Sequence, residues 1–374
     1  MITKVNQFPQ QIHNKNLFER NSKKIIFISI SLIMIVFDFI LGIFFIPKDY
    51  NFYRSPHPYY HHGFSPSKKS FSIWGDRKIP IFINSLGFKD FAPREISLTT
   101  SKKRILFMGD SFTEGRGVTY GESFTGLINR KVDSSKIEII NSAVSSYCPK
   151  LYYLKTKFLL EHVGLKIDEL YLFIDISDIQ DEILYENFKP NRIPSYRWFL
   201  YKTKKFLKTY SFIYYSTYNK ILLKKGSMEY DESIFPDLKK SYKLLQSLKF
   251  GQNRALWTLN KNIFYKWGEK GLKLAYMNIK KLYNLCNKHN IILTIIVYPW
   301  PEQIFNKDLD SIQVNFWRKF CKEHSIAFIN LFPSFINQTD PQDVYNKYFI
   351  NGDVHWNQEG HKLVATKIIE RMNL

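Results

Sequence analysis

A serine hydroxyl becomes a nucleophile when a base stands by to take its proton, and the base works best when a carboxylate holds its tautomer. The parts of such a set lie far apart in this chain. Around residue 110 it reads Gly109-Asp110-Ser111, and near its end Asp353-Val354-His355-Trp356, followed by Asn357, Gly360 and His361. Asp353 precedes His355 by two residues, close enough to orient the imidazole and to stabilise the imidazolium formed when Ser111 attacks a carbonyl. The chemistry these residue types support is acyl transfer, with Ser111 attacking, His355 moving the proton and Asp353 fixing His355.

The elements that must position them follow from the apolar runs. Ile105, Leu106, Phe107 and Met108 read as a strand buried on both faces of a parallel sheet, and Gly109 lets the chain turn sharply after it. Ser111 then falls at the carboxyl end of a strand, where open α/β sheets collect their ligand sites. Four more strands are expected at residues 136–141, 169–174, 291–298 and 327–331. Helices are expected at residues 121–132, 152–163, 272–289, 310–323 and 359–372, the last capped by Asn357. This pattern predicts an α/β fold with a five-stranded parallel sheet. Pro299-Trp300-Pro301 stops the fourth strand, because proline has no N–H for the ladder. Tyr298 and Trp300 therefore reach the edge that carries Ser111, where they either form a wall for substrate or simply pack the loop; Asp110 is a candidate for contact with substrate and also reads as a turn former.

A GDS triplet directly after an apolar strand, joined to DVHWNQEGH at the C-terminus, resembles the SGNH (GDSL-type) hydrolase superfamily over roughly residues 103–374. The Asp-x-His-Trp form is similar to the alginate O-acetyltransferase branch and to membrane-anchored SGNH proteins. The resemblance implies a flavodoxin-like three-layer sandwich acting on esters of a cell-surface polysaccharide or peptidoglycan, without cofactor or metal. It also implies an oxyanion held by the N–H groups of Ser111 and Ser146 and by the side chain of Ser177. The family usually carries Gly at the place of Ser146, and Gly-x-Asn-Asp where this chain has Asp175-Ile176-Ser177-Asp178. A serine hydroxyl donates but reaches less far than an asparagine amide. Losing one oxyanion donor costs about 3 kcal/mol, so a degenerate, glycan-binding domain in an export complex stands as an alternative to an esterase or an O-acyltransferase.

Residues 1–24 are basic, and residues 25–46 form an almost wholly apolar stretch broken by Asp38, the Ser29/Ser31 pair and Gly42. About 20 such residues span a bilayer, and the basic flank puts the N-terminus in the cytoplasm and the rest outside. Residues 47–100 read as a loop-like linker packing on the domain at residues 101–374, with Asn84-Ser85-Leu86-Gly87-Phe88 similar to a turn that precedes the GDS strand in membrane-anchored SGNH proteins. Residues 189–256 interleave basic and aromatic side chains and read as a helical insertion, either a lid or groove for a glycan or membrane face, or an amphipathic pair with a solvated basic side. His61 and His62, adjacent on an extended chain, would point to opposite sides and not share an ion. Cys148, Cys286 and Cys321 show neither disulfide pairing nor metal spacing. The net charge of +21 fits a membrane surface or polyanion, or a coding bias towards Lys and Asn; no nucleic-acid motif accompanies it.

Overall fold

The computed structural model describes residues 17–46, 53–74, 77–190, 193–225, 253–337 and 340–372. The chain divides into two compact units, one drawn from Met1–Lys48 and Trp198–Glu229, the other from Asp49–Arg197 and Tyr230–Leu374.

The larger unit opens with a two-stranded hairpin, β1 (Arg54–His57) and β2 (His61–Phe64), followed by β3 (Lys68–Trp74), β4 (Arg77–Ile83) and β5 (Lys89–Asp90). Then come β6 (Lys103–Met108), β7 (Ile137–Asn141), β8 (Glu169–Ile174), β9 (Ile292–Val297) and β10 (Ala327–Asn330). One sheet holds eight of these in the order β10-β9-β8-β6-β7-β5-β4-β3. Strands β6 to β10 pair in parallel, and their order is that of the flavodoxin-like sheet. Ile105 to Met108 of β6 are fully buried, as are Leu172 to Ile174 of β8 and Ile295 to Val297 of β9, which is what covering both faces of a parallel sheet requires.

The linker departs from expectation. Rather than a loop, residues 68–90 extend the sheet by three antiparallel strands, so that it has eight strands where five were expected. Ile79, Ile81 and Ile83 alternate inward along β4, but Pro80 interrupts the run and conceals the period. The structure tolerates Pro80 because β5 pairs only with Phe82 and Ile83, leaving one side of Pro80 without a neighbouring strand.

Strand order reverses at β6: the chain leaves it first for β7 on one side, then returns past it to β8 on the other. Right-handed crossovers put the two sets of helices on opposite faces. Helices Phe124–Lys131 and Gln358–Ile369 pack together, with Phe124 stacked on His361. Helix Glu269–Lys288 packs with Pro149–Lys157, Asp178–Tyr185 and, through Tyr276 against Phe320, Ile312–Glu323. The reversal opens a crevice at the carboxyl end of β6, where Ser111 stands. All three cysteines are buried and free.

The smaller unit is built on helix Leu17–Phe45, which over Arg20–Phe45 is long and apolar enough to cross a membrane. The described part of the insertion forms helices Ser195–Tyr210 and Phe212–Lys225, and residues 226–252 lie outside the described residues. From Trp198 onward these helices belong with the N-terminal helix, not with the unit that holds the sheet.

Candidate active site

Gly109 ends β6 because nothing larger fits: a Cβ there would lie 2.3 Å from Thr113 Oγ1. The chain turns at once into the short helix Ser111–Glu114. Asp110 caps it, Oδ1 accepting the Phe112 N–H at 3.0 Å. Gly115 closes it in the left-handed conformation, φ 75°. Lys89, from β5, donates to the carbonyls of Gly115 and Val118 at 2.8 and 3.0 Å, and burial pulls its amine down to about 8.

The two ends of the chain meet here. His355 Nε2 lies 2.8 Å from Ser111 Oγ, and His355 Nδ1 lies 2.5 Å from Asp353 Oδ1. Asp353 Oδ1 also accepts the His355 N–H at 2.9 Å, and Tyr345 Oη accepts the Asp353 N–H at 3.2 Å. Burial raises the Asp353 carboxyl, but the hydrogen bonds and charge of His355 outweigh it and hold the group below the usual carboxylate range. His355 and Asp353 remain 15% and 27% exposed, so the pair opens onto the surface. Phe112 packs on His355 at 5.0 Å and Trp356 lies beneath, fully buried. His361 accepts the Phe124 N–H and is held neutral by burial, its pKa near 3, so its part is structural.

Behind the serine lies a buried acid cluster. Carboxylate oxygens of Asp110, Asp175 and Asp178 come within 4.8 Å of one another, the one such grouping of possible metal ligands among the described residues. Their surroundings supply hydrogen-bond donors: Tyr298 Oη to Asp110 at 3.0 Å, Tyr152 Oη to Asp178 at 2.9 Å and Trp300 Nε1 to Asp175 at 2.7 Å. Burial first, then the charge of Asp175, pushes Asp110 and Asp178 well above the carboxylate range. Ser111 Oγ is 3.0 Å from Asp110 Oδ2 and donates to it when that carboxyl is ionised. Asp110 Oδ1 also accepts from the Phe112 N–H and from Tyr298 Oη.

This corrects the expected substrate wall. Tyr298 and Asp110 are 0% and 2% exposed, and Trp300 is 7% exposed; their polar atoms face the acid cluster. Position at the carboxyl edge did not decide which way the side chains turn, and the buried carboxylates recruited the nearby donors.

Ser146 has φ +61°, the left-handed conformation that suits glycine, at the position where the resembling family carries one. The Val144 N–H donates to Gly109 O at 3.3 Å, which sets this turn beside the nucleophile's. Neighbouring residues clamp it. Glu114 Oε2 accepts from the Ser145 N–H and hydroxyl, both at 2.7 Å, while Glu114 Oε1 accepts from Arg54 Nη2 at 2.7 Å. Burial raises the Glu114 carboxyl, yet the charges of Arg54, Arg116 and Lys89 bring it below its usual value. His62 Nε2 lies 2.9 Å from Ser145 O, and Tyr147 Oη donates to His62 O. Ser177 is buried at the end of β8, its N–H donating to Asp175.

His61 and His62 also differ from expectation. His61 takes φ 69°, so the chain is not extended there and the two Nδ1 atoms meet at 2.6 Å, one donating and one accepting. Burial pulls His61 down to about 3 and His62 well below its usual value, so both rings are neutral. The sequence reading missed Trp74 altogether. This β3 residue meets the His355 ring edge-on at 5.6 Å, with Arg116 over its face at 4.7 Å. The Gly115-Arg116-Gly117 step was the available signal: a Cβ on Gly117, φ 79°, would lie 2.3 Å from Ile350 Cδ1 and 3.4 Å from Trp74.

The fold and site define a flavodoxin-like α/β domain with a Ser-His-Asp constellation at the switch point of its sheet. No family model matches the chain, and no curated protein does. Among solved structures it is similar to a member of the lipolytic G-D-S-L family from Veillonella parvula, at 13% identity and TM-score 0.37, over 72% of this chain and 97% of that one. It is also similar to a psychrotrophic esterase from Pseudoalteromonas, at 10% identity and TM-score 0.38, over 72% and 96% of the two chains. A mutant acetyl-xylooligosaccharide esterase from Geobacillus is similar at 11% identity and TM-score 0.41, over 74% and 97%. At these levels the fold and the site stand on this chain's own geometry.

Proposed function

We propose that this chain is a membrane-anchored serine esterase that removes ester-linked acyl groups, O-acetyl in particular, from a cell-envelope glycan. The observation that carries the reading is the continuous line Ser111 Oγ–His355–Asp353, with contacts of 2.8 and 2.5 Å. Ser111 attacks the ester carbonyl while His355 Nε2 takes its proton, and Asp353 stabilises the imidazolium. The tetrahedral oxyanion is received by the N–H groups of Ser111 and Ser146. His355 returns the proton to the departing sugar alkoxide, leaving acyl-Ser111. Water, deprotonated by His355, then releases the acid and restores the serine. A sugar hydroxyl in place of water would make the same site an O-acyltransferase.

The apolar helix supports anchoring, with the N-terminus in the cytoplasm and the larger unit outside. The test uses the detergent-solubilised full chain with p-nitrophenyl acetate, with and without acetylated and unacetylated oligosaccharides. Hydrolysis that disappears in Ser111→Ala supports the esterase. Acetyl transfer to an oligosaccharide in excess of hydrolysis would establish the transferase, and no turnover on any ester would favour a binding module.

A further inference from the structure

Residues 198–225 carry nine aromatic residues, seven lysines and no acidic residue. They make up most of the two helices described in the insertion, Ser195–Tyr210 and Phe212–Lys225, with Ser211 between them. The second helix has two of its leading N–H groups satisfied at once: Ser211 Oγ accepts from Tyr214 at 3.1 Å, and Asp38 Oδ1 accepts from Ile213 at 2.8 Å. Asp38, the one acid in the apolar run at residues 25–46, therefore sits at the positive end of a helix dipole. One turn further along, Gly42 lets the backbones touch, since a Cβ there would lie 1.9 Å from Tyr210 O. Phe39 meets Phe206 at 5.8 Å and Phe45 meets Phe212 at 5.7 Å.

These contacts fall on residues 38–45 of the apolar helix, whose other faces stay open: Phe37, Ile43 and Phe44 are 54%, 57% and 76% exposed. Helices packed on that stretch share its depth. At about 1.5 Å per residue, residues 38–45 cover roughly the last 10 Å of the span, the border between hydrocarbon and headgroups. The hairpin's own surface suits that border. Phe199, Phe206 and Ile213 are 68%, 51% and 60% exposed, while Lys202, Lys204, Lys205 and Lys208 interleave with them. Tryptophan and tyrosine favour this layer, lysine stems snorkel from it, and anionic headgroups attract the ammonium groups.

We propose that residues 198–225 are a second membrane contact, a basic and aromatic hairpin seated in an anionic headgroup layer on the side where the chain continues past residue 46. The proposal rests on the reading of Arg20–Phe45 as a membrane span. Asp38 and Gly42 are its docking residues on the anchor.

The full chain is reconstituted in nanodiscs of phosphatidylcholine, or of equal parts phosphatidylcholine and phosphatidylglycerol. A fluorophore is placed on a single added thiol, Phe199→Cys, Ile213→Cys or Ile33→Cys; the native cysteines are buried. Lipids carrying a nitroxide near the headgroup should quench the labels at 199 and 213 several-fold relative to discs without nitroxide. Lipids with the nitroxide deep in the chain should quench the label at 33. Labels at 199 and 213 left unquenched by the headgroup nitroxide, with 33 quenched by the deep one, overturn the hairpin and leave the anchor standing. A label at 33 that escapes quenching overturns both. Changing Lys202, Lys204, Lys205 and Lys208 together to Glu should bring quenching at 199 in anionic discs down to the neutral-lipid level; no change would overturn the headgroup contact.

Discussion

Two turns at the edge of the sheet lie side by side, and they are built differently. The nucleophile's turn is made locally: β6 delivers it, Gly109 bends it, and Asp110 caps the helix that holds Ser111. The turn at Ser146 carries a non-glycine residue in a left-handed conformation and is clamped from outside, by Arg54 and His62 of the linker hairpin and by Glu114 of the first turn. The contrast teaches that the nucleophile's turn is set by its own strand and cap, with Lys89 of β5 holding only its far end, whereas the Ser146 turn depends on side chains recruited from the preceding hairpin.

Breaking the local half should have the largest effect. Ser111→Ala or His355→Ala should lower ester turnover by about 10⁶-fold, and Asp353→Asn by about 10⁴-fold, measured as kcat with p-nitrophenyl acetate. Breaking the clamp should cost less and leave the nucleophile reactive. Glu114→Gln removes the carboxylate that Arg54 and Ser145 share, and kcat should fall by about 10²-fold, as for one lost oxyanion donor, with little change in KM. Loss of serine labelling along with turnover would show the two turns to be one unit.

A third test reads the core beneath the clamp. Lys155 is buried against Tyr60, Phe88 and Tyr147, donates to Ser142 O at 2.7 Å, and burial brings its amine down to about 7. In the unfolded chain the same amine titrates near 10.4. Between those values the unfolded state binds more protons, so this group's contribution to stability rises with pH across the window and is flat below it. Lys155→Met should flatten the unfolding free energy between about pH 7 and 10. The smallest effect sharpens the comparison: Ser146→Gly should raise stability by about 1 kcal/mol while hydrolysis persists, because it relieves the left-handed serine without removing the N–H. Unchanged melting would mean that the clamp, not the residue, sets that conformation.

The parallel core was legible because Ile105–Met108 and the runs like it are continuous, apolar and bounded by turns. The pairing of Ser111 with His355 was legible because a strand end and an Asp-x-His step each limit where a side chain can be. Strands β3 to β5 were not, since Pro80 breaks their alternation and β5 is only two residues long. Nor were the positive φ of His61 and the inward turn of Tyr298, which depend on partners distant in sequence: Tyr185 and Phe188 rings around His61, and Asp110 for Tyr298. Asp38 showed as an anomaly in an apolar run, and its reason, the N–H of Ile213, lies 175 residues away.

The most direct test of the central claim is mass spectrometry of the full chain after exposure to a fluorophosphonate. The account predicts a single adduct on the peptide containing Ser111, formed rapidly in the wild type and lost in His355→Ala. No adduct in the wild type, or an adduct on another serine such as Ser146 with Ser111 unmodified, would contradict it.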